Sequence, residues 1–163
     1  CWSWTSLWTQ RGKQMKRYVK RITAVLLALF AAYNLFWLAV VGSVYRDFLP
    51  GTREVYPLRT YAIDDLDGYT FNVKIPDYLC FTGNLGVQPK EGGQCALIIW
   101  PGIFRETRYG AFLPVGEGSF YGVYLTEDGE ALPDAPERIR RLVEENREDI
   151  DELFTRADAL WDY

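Results

Sequence analysis

From Ile22 to Tyr45 the chain runs 24 residues without a charge, ITAVLLALFAAYNLFWLAVVGSVY. As a helix rising about 1.5 Å per residue it would be roughly 36 Å long, against about 30 Å of hydrocarbon in a bilayer. Twelve of these residues are Leu, Ile, Val or Phe. At central insertion values they favour the membrane by about 4 to 7 kcal/mol, and a single uncharged amide, Asn34, does not reverse that. The span is therefore expected to insert as a transmembrane helix.

Charge placement predicts its orientation. Lys13, Lys16, Arg17, Lys20 and Arg21 precede the span, whereas Arg46 and Asp47 follow it and cancel. The positive-inside rule then keeps the N-terminus cytoplasmic and sends residues 46–163 to the periplasmic or extracellular side. A cleaved signal peptide ending near Val41-Gly42-Ser43 is the competing reading. Signal cores run about 7–15 residues, however, and this one is longer. Met15 is the only methionine and opens the basic segment. Residues 1–14 are therefore expected to be a non-native or upstream extension, with 15–45 the cytoplasmic basic tip and transmembrane helix.

The remaining 118 residues, 46–163, hold 12 basic side chains against all 22 acids, a net of −10. Nucleic acid needs a concentrated basic surface, so it is excluded as the main partner. With no histidine anywhere, Ser–His, Cys–His and His–metal arrangements are unavailable within the chain. No catalytic residue and no cofactor are expected, and the chain reads as a non-enzyme. Cys80 and Cys95 are expected to form a structural disulfide in an oxidising compartment.

Residues 46–60, with Pro50, Gly51 and Pro57, read as a linker. Residues 61–132 read as a small, mostly antiparallel β domain of four or five short strands. Tyr69, Phe71, Val73 and Ile75 alternate with polar residues, and CALIIW (95–100) reads as a strand buried on both faces. Two aromatic-rich strands, 109–115 and 119–125, flank the glycines of Gly116-Glu117-Gly118. Most of the aromatics are expected to fill the core. From 133 to 163 the period changes. Ile139, Val143, Ile150, Leu153, Ala157 and Leu160 recur at 4- and 3-residue steps if Asn146 fills the gap. One amphipathic helix of about six turns follows, capped by Asp134. The fold class is α+β: a single N-terminal transmembrane helix, a small antiparallel β domain and a C-terminal amphipathic helix.

Asp64, Asp65 and Asp67 before Gly68 resemble a calcium loop only weakly, because Ile63 and Lys74 stand where its first and last ligands belong. They are the sole, weak metal candidates, and a solvated turn is the simpler reading. In the span, Ala24, Ala28, Ala31, Ala39 and Gly42 fall along one helical stripe, with Asn34 beside it, a pattern that lets helices pack closely. The function expected by elimination is a membrane-anchored interaction module, a subunit or accessory of a membrane or envelope complex. Phe120 and Tyr121, on opposite faces of a strand, and a helix face of Arg140, Glu144, Arg147 and Asp151 are the candidate partner contacts. An anchored ligand- or cation-binding sensor is the alternative, with an enzyme third.

Overall fold

The computed structural model describes residues 4–57, 59–91, 95–116, 118–161 and 163, and the side chains from residue 14 onward. Residues 1–3 of the expected 1–14 extension, and Gly92, Gly93 and Glu117 of two expected turns, lie outside them. The chain divides into two compact units, Cys1–Ala39 and Val40–Tyr163.

The described residues of the first unit form one helix. α1 runs from Trp4 to Tyr45, its last residues belonging to the second unit. The stretch Gln14–Phe48, most of it in α1, is long and apolar enough to cross a membrane, with an 18-residue segment of mean hydropathy 2.2. Val25, Leu26, Leu29 and Leu35 are each more than half exposed. Asn34 donates its amide to Phe30 O, one turn back, at 2.7 Å.

The second unit is an antiparallel meander whose seven strands lie side by side in chain order. They are β1 (Arg53–Tyr56), β2 (Thr60–Leu66), β3 (Tyr69–Lys74), β4 (Asn84–Pro89), β5 (Ala96–Trp100), β6 (Arg108–Gly116) and β7 (Ser119–Leu125). Every connection is local, which keeps the cost of closing the sheet low. Between β2 and β3 the connection is a two-residue hairpin, Leu66 pairing Tyr69 across Asp67 (φ 53°) and Gly68 (φ 84°). Two positive φ values match the twist a tight hairpin requires, hence Asp-Gly.

Register aligns the apolar positions into two rows. Phe71, Val87, Leu97, Ala111 and Val123 are successive cross-strand partners, as are Val73, Leu85, Ile99, Tyr109 and Leu125. All but Tyr109 are buried. Two helices, α2 (Glu137–Glu145) and α3 (Arg147–Leu160), supply Val143, Ile150, Leu153 and Ala157 to the same core. α3 lies against β4 and β5. Each fully buried aliphatic side chain here, Leu85 and Ile99 among them, stabilises the fold by about 1.5–3 kcal/mol.

Five expectations are corrected. The segment 46–60 is not a linker. Tyr45 and Phe48 are buried, and β1 lies inside this segment, paired to β2. The Tyr45 ring meets Phe48 edge-on (6.0 Å), Phe48 meets Trp161 (6.5 Å), and Trp161 meets Phe71 (5.5 Å). The sheet also has more strands than expected: β1, β2 and β4 join the four whose alternation or apolar run is legible in the sequence.

The C-terminal helix is two helices, broken at Asn146 (φ −113°, ψ 19°). Its side-chain amide donates to Leu142 O at 2.8 Å, the carbonyl its own backbone N–H would use in a continuous helix. That N–H turns instead to Val143 O. Asp134 does not cap α2: Pro136 holds the cap position with extended backbone and no side-chain bond, and its carbonyl accepts the amides of Ile139 and Arg140. Finally, β5 is buried on one face only. Leu97 and Ile99 point to the helices, and Ala96, Ile98 and Trp100 are half-buried on the other side.

Candidate interaction surface

Because the helices cover only one side of the sheet, the alternate residues of β3–β7 form a second face. It presents Asn72, Ile98, Trp100, Phe112 and Tyr124, with glycines at 86, 110 and 122 between them. The glycines have a packing role. A Cβ at Gly86 would lie 2.5 Å from Asn72 Nδ2, one at Gly110 3.0 Å from the Trp100 ring, and one at Gly122 3.2 Å from the Phe112 ring. Side chains of one strand therefore lie over the backbone of the next, where only glycine leaves room for them. Trp100 and Tyr124 flank Gly110 with ring centroids 5.8 Å apart, and the Arg108 guanidinium sits 5.9 Å from the Trp100 ring centre.

Two properties set this face apart. Phe112 and Tyr124 remain 44% and 56% exposed, although both lie within strands. Strands β3–β7 contain no Asp or Glu, in a region of net −10. The charges on the face are Lys74 and Arg108. The acids sit in β1, β2, the turns and the helices, so the domain is electrostatically two-sided. The core aromatics are Tyr45, Phe48, Phe71 and Trp161, while Tyr78, Phe104, Phe112, Phe120, Tyr121 and Tyr124 are exposed. The expectation that aromatics mostly fill the core is thus corrected: the core rows are largely aliphatic, and Phe112, Phe120, Tyr121 and Tyr124 of the strands are exposed.

The expected site residues are not brought together. Phe120 (54% exposed) lies on the open face and Tyr121 (48%) on the other. Arg140, Glu144, Arg147 and Asp151 do not make one exposed strip, because the break at Asn146 divides them. Arg147 is half-buried and ties α3 to the turn after β7, donating to Asp128 O at 3.0 Å and pairing with Asp151 at 3.0 Å. Arg140 donates to Pro133 O at 2.6 Å. Glu144 and Asp151 are exposed. Ile98, Trp100, Phe112 and Tyr124 were not singled out as a surface. The available signal was the alternation of ring and glycine through β5–β7.

No disulfide joins Cys80 and Cys95, which corrects that expectation. Cys80 precedes β4 and Cys95 stands directly before β5. Phe81 packs against Phe104, beyond the far end of β5, with ring centroids 5.2 Å apart. The two cysteines are thus separated by about the length of β4, roughly 18 Å at about 3.3 Å per residue, while a disulfide reaches under about 7 Å between Cα atoms. Cys95 is buried beneath the start of α3, where its single S–H is shared between two acceptors, Asn146 Oδ1 (3.5 Å) and Asp149 Oδ2 (3.6 Å). Burial, then Asp149, pushes its pKa up to about 12.

The three carboxylates before Gly68 diverge. Asp64 pairs with Arg53, Asp65 with Lys90 at 2.5 Å, and Asp67 with Arg156 at 4.0 Å. The hydrogen bond from Lys90 holds the Asp65 carboxyl below its usual range. Among the described residues no cluster of His, Cys, Asp or Glu could hold a metal ion. No protein-family model matches the chain, and no curated protein or solved structure matches it.

Proposed function

We propose that the chain is a single-pass membrane protein whose residues 46–163 form an interaction domain on the non-cytoplasmic side. In this reading the open face of β5–β7 engages a protein partner, as one subunit or accessory of a membrane complex. The uncharged helix and the basic residues before it support the anchor and its orientation. The observation that carries the recognition role is the row of half-buried Ile98 and Trp100 and exposed Phe112 and Tyr124 on the face opposite the helices. Aromatic side chains bury large area, and such groups dominate binding energies. With Lys74 and Arg108 as its charges, the face suits a flat apolar partner surface rimmed by carboxylates.

Two measurements test this reading. A reporter fused after Tyr163 should be active outside the cytoplasm, and activity confined to the cytosol would sink the topology. Detergent-solubilised purification of the full chain should bring a stoichiometric membrane partner that Ile98→Lys with Tyr124→Lys releases. Retention of the same partner by the double variant would remove the open face from the mechanism.

A further inference from the structure

β7 is the last strand of the sheet, and its outer side is a polypeptide edge. Its sequence, SFYGVYL, contains no charge and no proline. Edge strands are ordinarily protected by charge, proline, bulges or shortness, because open backbone groups recruit other strands. β1, at the opposite edge, follows that pattern: four residues, a register shift, and Arg53 and Glu54 in it. β7 carries Phe120, Tyr121 and Tyr124 exposed instead.

Which backbone groups point outward follows from neighbouring bonds. Thr126 N donates to Glu130 O at 2.8 Å, away from β6, and Leu125 bridges Ala131. Alternate residues of an antiparallel strand turn both backbone groups the same way, so Phe120 and Gly122 also face outward. Pro114 agrees: it lacks an N–H and stands opposite Phe120, a pair that exchanges no bonds across β6–β7. The bridge at Ala131 covers the far end of the strand, leaving Ser119–Val123 open among the described residues.

We propose that this edge pairs with the β7 of a second copy of the chain, antiparallel, about a twofold axis at Tyr121. Outward residues must meet outward residues, and that register opposes Phe120 to Gly122 of the other copy in both directions. It repeats the sheet's own pairing, in which Phe112 lies over Gly122 and rings flank Gly110 on both sides. An axis at Gly122 would bring Phe120 against Tyr124, where Ala131 already lies. An axis at Phe120 would leave Gly122 opposite Gly118. The absence of charge identifies the occupant as a copy of the chain: in an acidic domain, an uncharged strand is one that can meet itself without repulsion. This pairing concerns an edge and stands independently of the role given to the open face.

The test uses the full chain in membranes with Cys1→Ser and Cys80→Ser. Twofold-related residues at position 121 form a close, non-bonded pair with Cα atoms about 4.5 Å apart, within disulfide reach. Tyr121→Cys is expected to oxidise to a species of twice the chain mass, while Tyr124→Cys, about 20 Å from its own copy in this register, stays single. Tyr121→Asp, which sets like charges on the axis, is expected to weaken dimerisation in detergent at least tenfold with the circular dichroism spectrum unchanged. The proposal is overturned if Tyr121→Cys yields no crosslink, or if Tyr124→Cys crosslinks equally well. A crosslinked product whose mass shows a different protein on the edge also overturns it.

Discussion

The Tyr45 hydroxyl accepts the backbone N–H of Gly83 at 3.0 Å, linking the last residue of the apolar helix to the loop before β4. The site admits no larger residue than glycine, since a Cβ on Gly83 would stand 2.2 Å from Lys74 O and 2.8 Å from the tyrosine oxygen. The residue that ends the uncharged span is therefore also a core residue of the β domain, 1% exposed.

Tyr45→Phe is expected to destabilise the domain by about 1–3 kcal/mol, because it leaves a buried N–H without its acceptor while keeping the ring contact. Gly83→Ala should cost more, since backbone rather than a mobile side chain blocks the Cβ. Urea titration of the purified chain followed by tryptophan fluorescence measures both. Equal stability of Tyr45→Phe and the parent would show that the hydrogen bond contributes nothing.

Trp161 joins Phe48 and Phe71 by edge contacts and is 4% exposed. Trp161→Ala is expected to cost about 3–5 kcal/mol through the cavity it leaves. Removing the exposed Phe104 ring in the same way should cost far less. Thermal melts of the two variants compare a core aromatic with a surface one.

Cys95 makes stability fall in alkali. Its thiol keeps a proton in the folded state up to about pH 12, while the unfolded chain releases it near the ordinary thiol value of 9.0. Between those values the unfolded state binds fewer protons, so stability decreases with pH by at most about 1.4 kcal/mol per unit. Tyr163, whose hydroxyl is raised by burial and then by Asp158, adds to the fall only above the ordinary tyrosine range near 10. Chemical denaturation between pH 9 and 10 should therefore show a slope that Cys95→Ala removes. A thiol reagent at neutral pH should label exposed Cys80 and spare Cys95 until the chain is unfolded.

The β2–β3 hairpin rests on positive φ at both turn residues. Gly68→Ala is expected to destabilise by about 1 kcal/mol, and Asp67→Asn to be nearly neutral, since asparagine tolerates the left-handed region. Calcium should not raise the melting temperature of the parent, because the three carboxylates face three different cations. A rise abolished by Asp65→Asn with Asp67→Asn would instead establish the cation site.

Much of this architecture is local and therefore legible in the order of residues. An uncharged run of 24 residues between a basic flank and a neutral one makes a long apolar helix in any context. Alternation at 69–75 makes a strand, and Asp67-Gly68 makes a hairpin, because backbone sterics act over neighbouring residues only. What the tertiary structure decided depends on residues distant in sequence. Cys80 and Cys95 look like a pair until the β4–β5 hairpin places them a strand's length apart. Asn146 fits an apolar stripe until its amide takes the Leu142 carbonyl and its oxygen receives the Cys95 thiol. The strand aromatics have the composition of a core, yet two helices cover only one side of seven strands, so the remaining rings face out. Periodicity specifies which residues share a face. Whether anything covers that face is settled by how many other faces the chain can bring to it.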